Sequence, residues 1–356
     1  MTSLTRGERT TLALSVFLTG LAAALHFLHA GPIIGFVASA AALSLLAAVV
    51  GQGTEQIGSR LGPGATGVLQ SALGNLPELF ICLFSLRAGL VDVVKAALIG
   101  SILANSLLVL GIAITVGGLK HGTQRFSSDA PRMIATLMLI SVTALAVPTL
   151  AQQLHTPAGA HEAALSAACA VVLLIVFLAS LPFMVRGGTP SESEAQKAAP
   201  PHAPWPMTLA VTLLSVAGIA AAFVSEWFVD AMLPATHALG ISEAFTGFVI
   251  VAIAGNAVEN VVGIQLAARN QPDYALSVVL NSSLQVALLL TPILVLASFF
   301  VGPTPLTLVL SPLLVAALAL STIVTAFVTV DGESIWAEGV ALVGLYCIIA
   351  AAFWWG

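Results

Sequence analysis

Two six-residue stretches, GNLPEL (74–79) and GNAVEN (255–260), set carboxylates inside long apolar runs. Asn75 and Glu78 are three residues apart and share one face of a helix, as do Asn256 and Glu259. An ionised carboxylate in the middle of a bilayer costs roughly 2.5 kcal/mol or more. Two of them call for a cation, protons or a water-filled cavity. Pro77 adds to the oxygen supply. It has no N–H, so a continuous helix through it leaves the carbonyl of Leu73 without its usual donor. Carboxylates, amide oxygens and a free carbonyl suit a hard cation such as Ca2+. No cluster of His, Cys and Met argues for a softer metal.

The next apolar run in each half carries a matching polar set. GSILANS contributes Ser101 and Asn105, and LNSSLQ contributes Asn281, Ser282 and Gln285. Ser101 and Ser282 are expected among the metal ligands, and Asn105, Gln285 and Asn260 along the ion or proton path. The plainer alternative is hydrogen bonding between membrane helices. Glu55 and Glu226 fit either an ion or proton path or stabilising contacts near helix ends. The chain has no HExxH and no GxSxG, and its polar set offers no convincing nucleophile–base pair, so no enzyme is expected.

These residues need a scaffold, and composition says which kind. The 356 residues are 58% hydrophobic and 8% charged, against roughly 25% charged in soluble domains, and the mean hydropathy is +1.05. This is the composition of an all-α polytopic membrane protein. Eleven apolar runs are long enough to span: 11–30, 32–58, 63–87, 91–118, 130–150, 161–186, 206–233, 241–268, 273–301, 304–329 and 334–355. The first reads as a retained span rather than a cleaved leader. The three cysteines lie in apolar runs and read as small hydrophobes. The net charge is −5, and no nucleic-acid partner is expected. The partners expected are the bilayer and the transported ions, with the oligomeric state left open.

With the N-terminus in the cytoplasm, Arg6, Arg9, Arg60, Lys120, Arg125, Arg132, Arg186, Lys197 and Arg269 fall on the cytoplasmic side. Only Arg87 and Lys95 fall outside, and the C-terminus is external. Sliding the second half over the first by 181 residues superposes Gly74 on Gly255, Asn75 on Asn256, Glu78 on Glu259, Asp92 on Asp273 and Ser101 on Ser282. Five spans per half force opposite orientations, so the repeat is inverted, as in many secondary transporters. The expected division is an extra N-terminal helix (1–31), a first five-helix repeat (32–186), a cytoplasmic linker rich in Gly, Pro and Ser (187–205) and a second five-helix repeat (206–356).

The paired motifs resemble the signatures GNxxEL and GNxxEH of the cation/proton exchanger family, the Ca2+/H+ antiporters of the calcium/cation antiporter group. GSILANSLLVLG (100–111), SEWFVD (225–230), ISEAFTGFVIVAIAGNAVEN (241–260), NSSLQVALLLTPILVL (281–296) and DGESIWAEG (331–339) carry the similarity onward. The resemblance implies two inverted five-helix repeats plus one extra helix. It implies an antiporter of the cell membrane that needs no cofactor, with Glu78 and Glu259 binding Ca2+ and protons in turn. Two residues depart from the family pattern. Asn260 stands where the second motif has histidine, and Leu76-Pro77 replaces the common Ala-Thr pair. Both bear on cation choice, so Na+/H+, Na+/Ca2+ and Mn2+/H+ exchange are the nearest alternatives. A channel is a more distant one, since pores usually need symmetric rings of ligands.

Overall fold

A computed structural model describes residues 4–61, 73–186 and 205–355. Twelve helices account for nearly all of it: α1 (Arg6–Phe27), α2 (Pro32–Leu61), α3 (Leu76–Arg87), α4 (Val91–His121), α5 (Asp129–Gln153), α6 (Glu162–Arg186), α7 (Met207–Leu239), α8 (Glu243–Gly255), α9 (Ala257–Ala268), α10 (Pro272–Ala297), α11 (Pro312–Val330) and α12 (Trp336–Trp354). Among the described residues nine helices are long and apolar enough to cross a membrane, ten if the bent pair α8–α9 counts as one span. The expected span at 63–87 begins on residues outside the description, as does nearly all of the expected linker.

Local chemistry sets many of the ends. Thr5 and Glu8 cap α1 reciprocally, each side chain accepting from the other's backbone N–H, at 3.2 and 2.6 Å. Proline occupies the first turn of α3, α10 and α11, where a missing N–H costs nothing. Ser311 caps α11 by accepting from the N–H of Leu314.

The connections gather at two ends. At one, the α4–α5 connection pairs with the α11–α12 connection as a short antiparallel ribbon, Gln124 opposite Ser334 and Arg125 opposite Glu333. Asp273, in the first turn of α10, accepts there from the N–H of Ser127 at 2.7 Å. The other end is closed by the segment between α10 and α11. Lys95 donates to the Val309 carbonyl at 2.7 Å, and Ser166 and Thr149 accept from the N–H groups of Leu308 and Leu310. Composition did not announce the ribbon, because two-residue strands leave no periodicity to read.

Close helix crossings supply the packing that hydrophobicity cannot supply in lipid. A side chain at Gly100 would overlap the backbone of Phe248, and one at Gly247 would overlap the Val93 carbonyl, so α4 and α8 meet backbone to backbone. Gly111 and Gly339 bring α4 against α12 in the same way. Of the three cysteines, Cys82 is buried and Cys169 partly so. Cys347 is exposed on α12, so it does not pack as a core residue.

Candidate functional site

Both signature stretches break their helices. Asn75 has φ −91° and ψ 16°, and Asn256 has φ −110° and ψ 23°. Each sits at the N-cap of a twelve-residue helix, α3 or α9, whose bounds differ by the repeat offset of 181. The α8–α9 pair is bent by 64° at its break. Pro77 does not create the first break. It lies at the second position of α3, and the second half breaks at the same place with Ala257-Val258 there. The sequence argument for the Leu73 carbonyl therefore changes. Leu73 is helical immediately before the break, and the Gly-Asn step separates it from α3.

The break lets side chains from the two halves meet. Glu78, on the first turn of α3, is fully buried. One carboxylate oxygen accepts from the Ser101 hydroxyl, and the other accepts from Asn256 Nδ2 at 3.3 Å. Asn256 Nδ2 also lies 3.0 Å from Ser101 Oγ and 2.9 Å from the Ala252 carbonyl. Asn105 Nδ2 donates to Ser282 Oγ at 2.9 Å and reaches Asn256 Oδ1 at 3.4 Å. Ser282 Oγ approaches that same Oδ1 at 3.4 Å. In the converse direction, Asn75 Nδ2 donates to Gln285 Oε1 at 3.3 Å. Each asparagine of a Gly-Asn step is thus held by an amide from the opposite half. Asn105 and Gln285 differ by 180 in number rather than 181. Asn105 lies in a π-helical turn of α4, Ala104–Val109, and Gln285 immediately precedes one in α10, Val286–Leu290. Such turns often mark functional sites.

The oxygens are not all spent. Oδ1 of Asn75, Asn105 and Asn260 is buried without a hydrogen-bond partner. A buried acceptor left unpaired costs roughly 1–3 kcal/mol, and a hard cation is the partner such oxygens take. Among the described residues no three His, Cys, Asp or Glu side chains lie close enough together to hold a metal. A cation at Glu78 would draw the rest of its shell from amides, hydroxyls and carbonyls.

Glu259 lies one helical step beyond Asn256 on α9 and is partly exposed, in contrast to Glu78. The two carboxylates match in the repeat but not in their surroundings. Gly255 explains how tightly Glu78 is enclosed: a Cβ there would stand 3.0 Å from Glu78 Cβ.

The family model for sodium/calcium exchanger proteins matches residues 31–186 and 209–355. The chain belongs to that family. Its curated relatives include a Ca2+/H+ antiporter of Aphanothece halophytica, 35% identical over 345 residues and covering 92% of both chains. Another is the Ca2+/H+ antiporter ChaA of Bacillus subtilis, 33% identical over 312 residues, covering 86% of this chain and 88% of the relative. The solved structure of the Ca2+/H+ antiporter protein YfkE superposes with a TM-score of 0.81 at 29% identity, covering 97% of this chain and 99% of that one.

Other residues singled out from the sequence lie apart from this network. Glu226 pairs with Arg87 at 3.6 Å, where the arginine side chain is largely exposed and the glutamate partly so. Arg87 ends α3, whereas Glu226 lies well inside α7. Glu55 lies on α2 near Glu8 of α1. Sequence reasoning passed over Gly255 as a spacer for Glu78, and Gly100 and Gly247 as the crossing that brings Ser101 toward Asn256. A glycine interrupting an apolar helical pattern was the available signal.

Proposed function

We propose that this exchanger-family protein is a secondary active antiporter that exports Ca2+ in exchange for protons. The observation that carries the reading is the sealed carboxylate of Glu78, held by Ser101 of its own half and Asn256 of the other, with buried amide oxygens left unpaired in the same signature stretches and the helix that follows. Glu78 and Glu259 together carry two negative charges when ionised, which one Ca2+ or two protons neutralise. The empty, charged site is costly in a low-dielectric interior, so it does not cross unloaded. Exchange is then obligatory. Asn75, Asn256, Ser101 and Ser282 complete the cation shell. Asn105, Gln285, Asn260 and Glu55 line the approach, while Glu226 acts through its pair with Arg87. Curated relatives named Ca2+/H+ antiporters support the choice of ions.

The chemistry needs nothing beyond the two transported ions, so the protein works as a transporter rather than an enzyme and without a cofactor. Its place is the cell membrane, with the N-terminus cytoplasmic and the C-terminus external. Lys120, Arg125, Arg132 and Arg269 flank the connections at the ribbon end, and Arg87 and Lys95 lie toward the opposite end, which supports that orientation. Residues 32–186 and 206–356 act as the two inverted repeats, with 1–31 as an added helix and 187–205 as the cytoplasmic linker. Alternating access moves the paired helices about the site.

The test is Ca2+ flux in liposomes under an imposed pH gradient. Uphill Ca2+ movement that stops when a protonophore collapses the gradient is the expected result. Glu78→Gln and Glu259→Gln should each abolish it while the protein still inserts. Flux coupled to Na+ but not to H+, or fast uncoupled conduction, would sink the proposal.

A further inference from the structure

Trp205 stands two residues before α7 and is, among the described residues, the largest side chain that is completely buried. Tryptophan near the end of a membrane helix ordinarily sits in the interface with its indole N–H toward water. Here every polar group of the residue is engaged by protein. The indole Nε1–H donates to Glu8 Oε1 at 3.2 Å. The backbone N–H donates to Gln56 Oε1 at 3.0 Å. The carbonyl accepts from the Arg60 guanidinium. The ring packs with Ile57 and Ala210.

The last residue of the linker therefore grips α1 through Glu8 and two successive turns of α2 through Gln56 and Arg60. Glu8 is fixed in turn, because its Oε2 accepts from the Thr5 N–H at 2.6 Å. Glu55 immediately precedes Gln56, and the charge of Glu8 is close enough to act on it. The α2–α7 contact below the clamp is tight. A Cβ at Gly53 would stand 3.1 Å from Leu214 Cβ.

We infer that Trp205 is a positioning residue for exchange: by holding Glu8, Gln56 and Arg60 it sets where Glu55 stands on the ion route. The inference rests on the Ca2+/H+ antiport reading. Trp205→Phe keeps most of the bulk and removes the indole donor, which frees the Glu8 carboxylate beside Glu55. The experiment is Ca2+ binding to the purified full-length protein by calorimetry, with pH-driven Ca2+ flux and thermal midpoint measured alongside. Binding can be scored even in a variant that no longer transports. Trp205→Phe should weaken Ca2+ binding roughly fivefold, the worth of one hydrogen bond, with the thermal midpoint little changed. In a Glu55→Gln background the same change should have no further effect, because the group it acts through has lost its charge. Equal effects of Trp205→Phe with and without Glu55 would overturn the inference. So would a loss of thermal stability with binding unchanged, or no effect at all. A wild type that binds Ca2+ but does not couple it to protons overturns the antiport reading instead, and the binding cycle still decides the clamp.

Discussion

Gly255→Ala is the substitution whose cost can be worked most directly from the geometry. The new Cβ would stand 3.0 Å from Glu78 Cβ, 3.3 Å from its Cγ and 3.6 Å from its Cα. Ordinary carbon contacts lie near 3.5–4.0 Å. Glu78 Cβ cannot swing away as a chain end could, so α3 and α8 must separate by a few tenths of an ångström. Overpacking of this kind costs about 1–3 kcal/mol. Alanine returns about 0.5–1 kcal/mol of helix preference over glycine. The net penalty, about 1.25 kcal/mol at mid-range, corresponds to a factor of about 8. It falls on the distance between Glu78 and Asn256 rather than on the fold at large. Exchange at low Ca2+ should drop by about that factor, measured as initial flux in liposomes at matched protein content. Gly218→Ala is the control, since nothing lies within 4 Å of its Cβ position. It should leave flux unchanged and hold or raise the thermal midpoint. Gly255→Ala with wild-type flux and Ca2+ dependence would refute the idea that this close approach sets the position of Glu78.

Ser101→Ala removes the hydroxyl that donates to Glu78. A hydrogen bond to a charged group is worth about 1.5–3 kcal/mol, so half-saturating Ca2+ should rise at least tenfold, read from flux against Ca2+ concentration; an unchanged value would take Ser101 out of the site. Asn260→His places an imidazole of ordinary pKa about 6.5 beside Glu259. Below that pH it is cationic and repels an arriving cation, so Ca2+ dependence should worsen more steeply than in the wild type as pH falls through about 6–7. Superimposable pH profiles would show that position 260 does not tune the site. Breaking the exposed pair with Arg87→Gln should change the thermal midpoint by little, since exposed pairs contribute about 0–1 kcal/mol. A large loss of flux in that variant would return Glu226 to the ion path.

Much about this protein was legible from residue order, because the bilayer permits few solutions. Long apolar runs must be helices once no water is left to satisfy the backbone. The offset joining Glu78 to Glu259 was visible because polar identities are rare in such a background. What the tertiary structure decided is which groups meet. Periodicity places Asn75 on the face of Glu78, yet it is Asn256, some 178 residues along the chain, that binds the Glu78 carboxylate. No local pattern contains that contact. It depends on helices broken at Gly-Asn, on Gly255 lying against Glu78 and on Gly100 and Gly247 letting two backbones touch. The sequence reading ran a helix through Pro77 and freed the Leu73 carbonyl, because proline's missing N–H is a local property. The second half bends at the same step without a proline there, so the break comes from the Gly-Asn step and the helices packed across it. The difference between a sealed Glu78 and a partly exposed Glu259 likewise has no trace in the repeat, since burial depends on the neighbours each carboxylate meets in three dimensions.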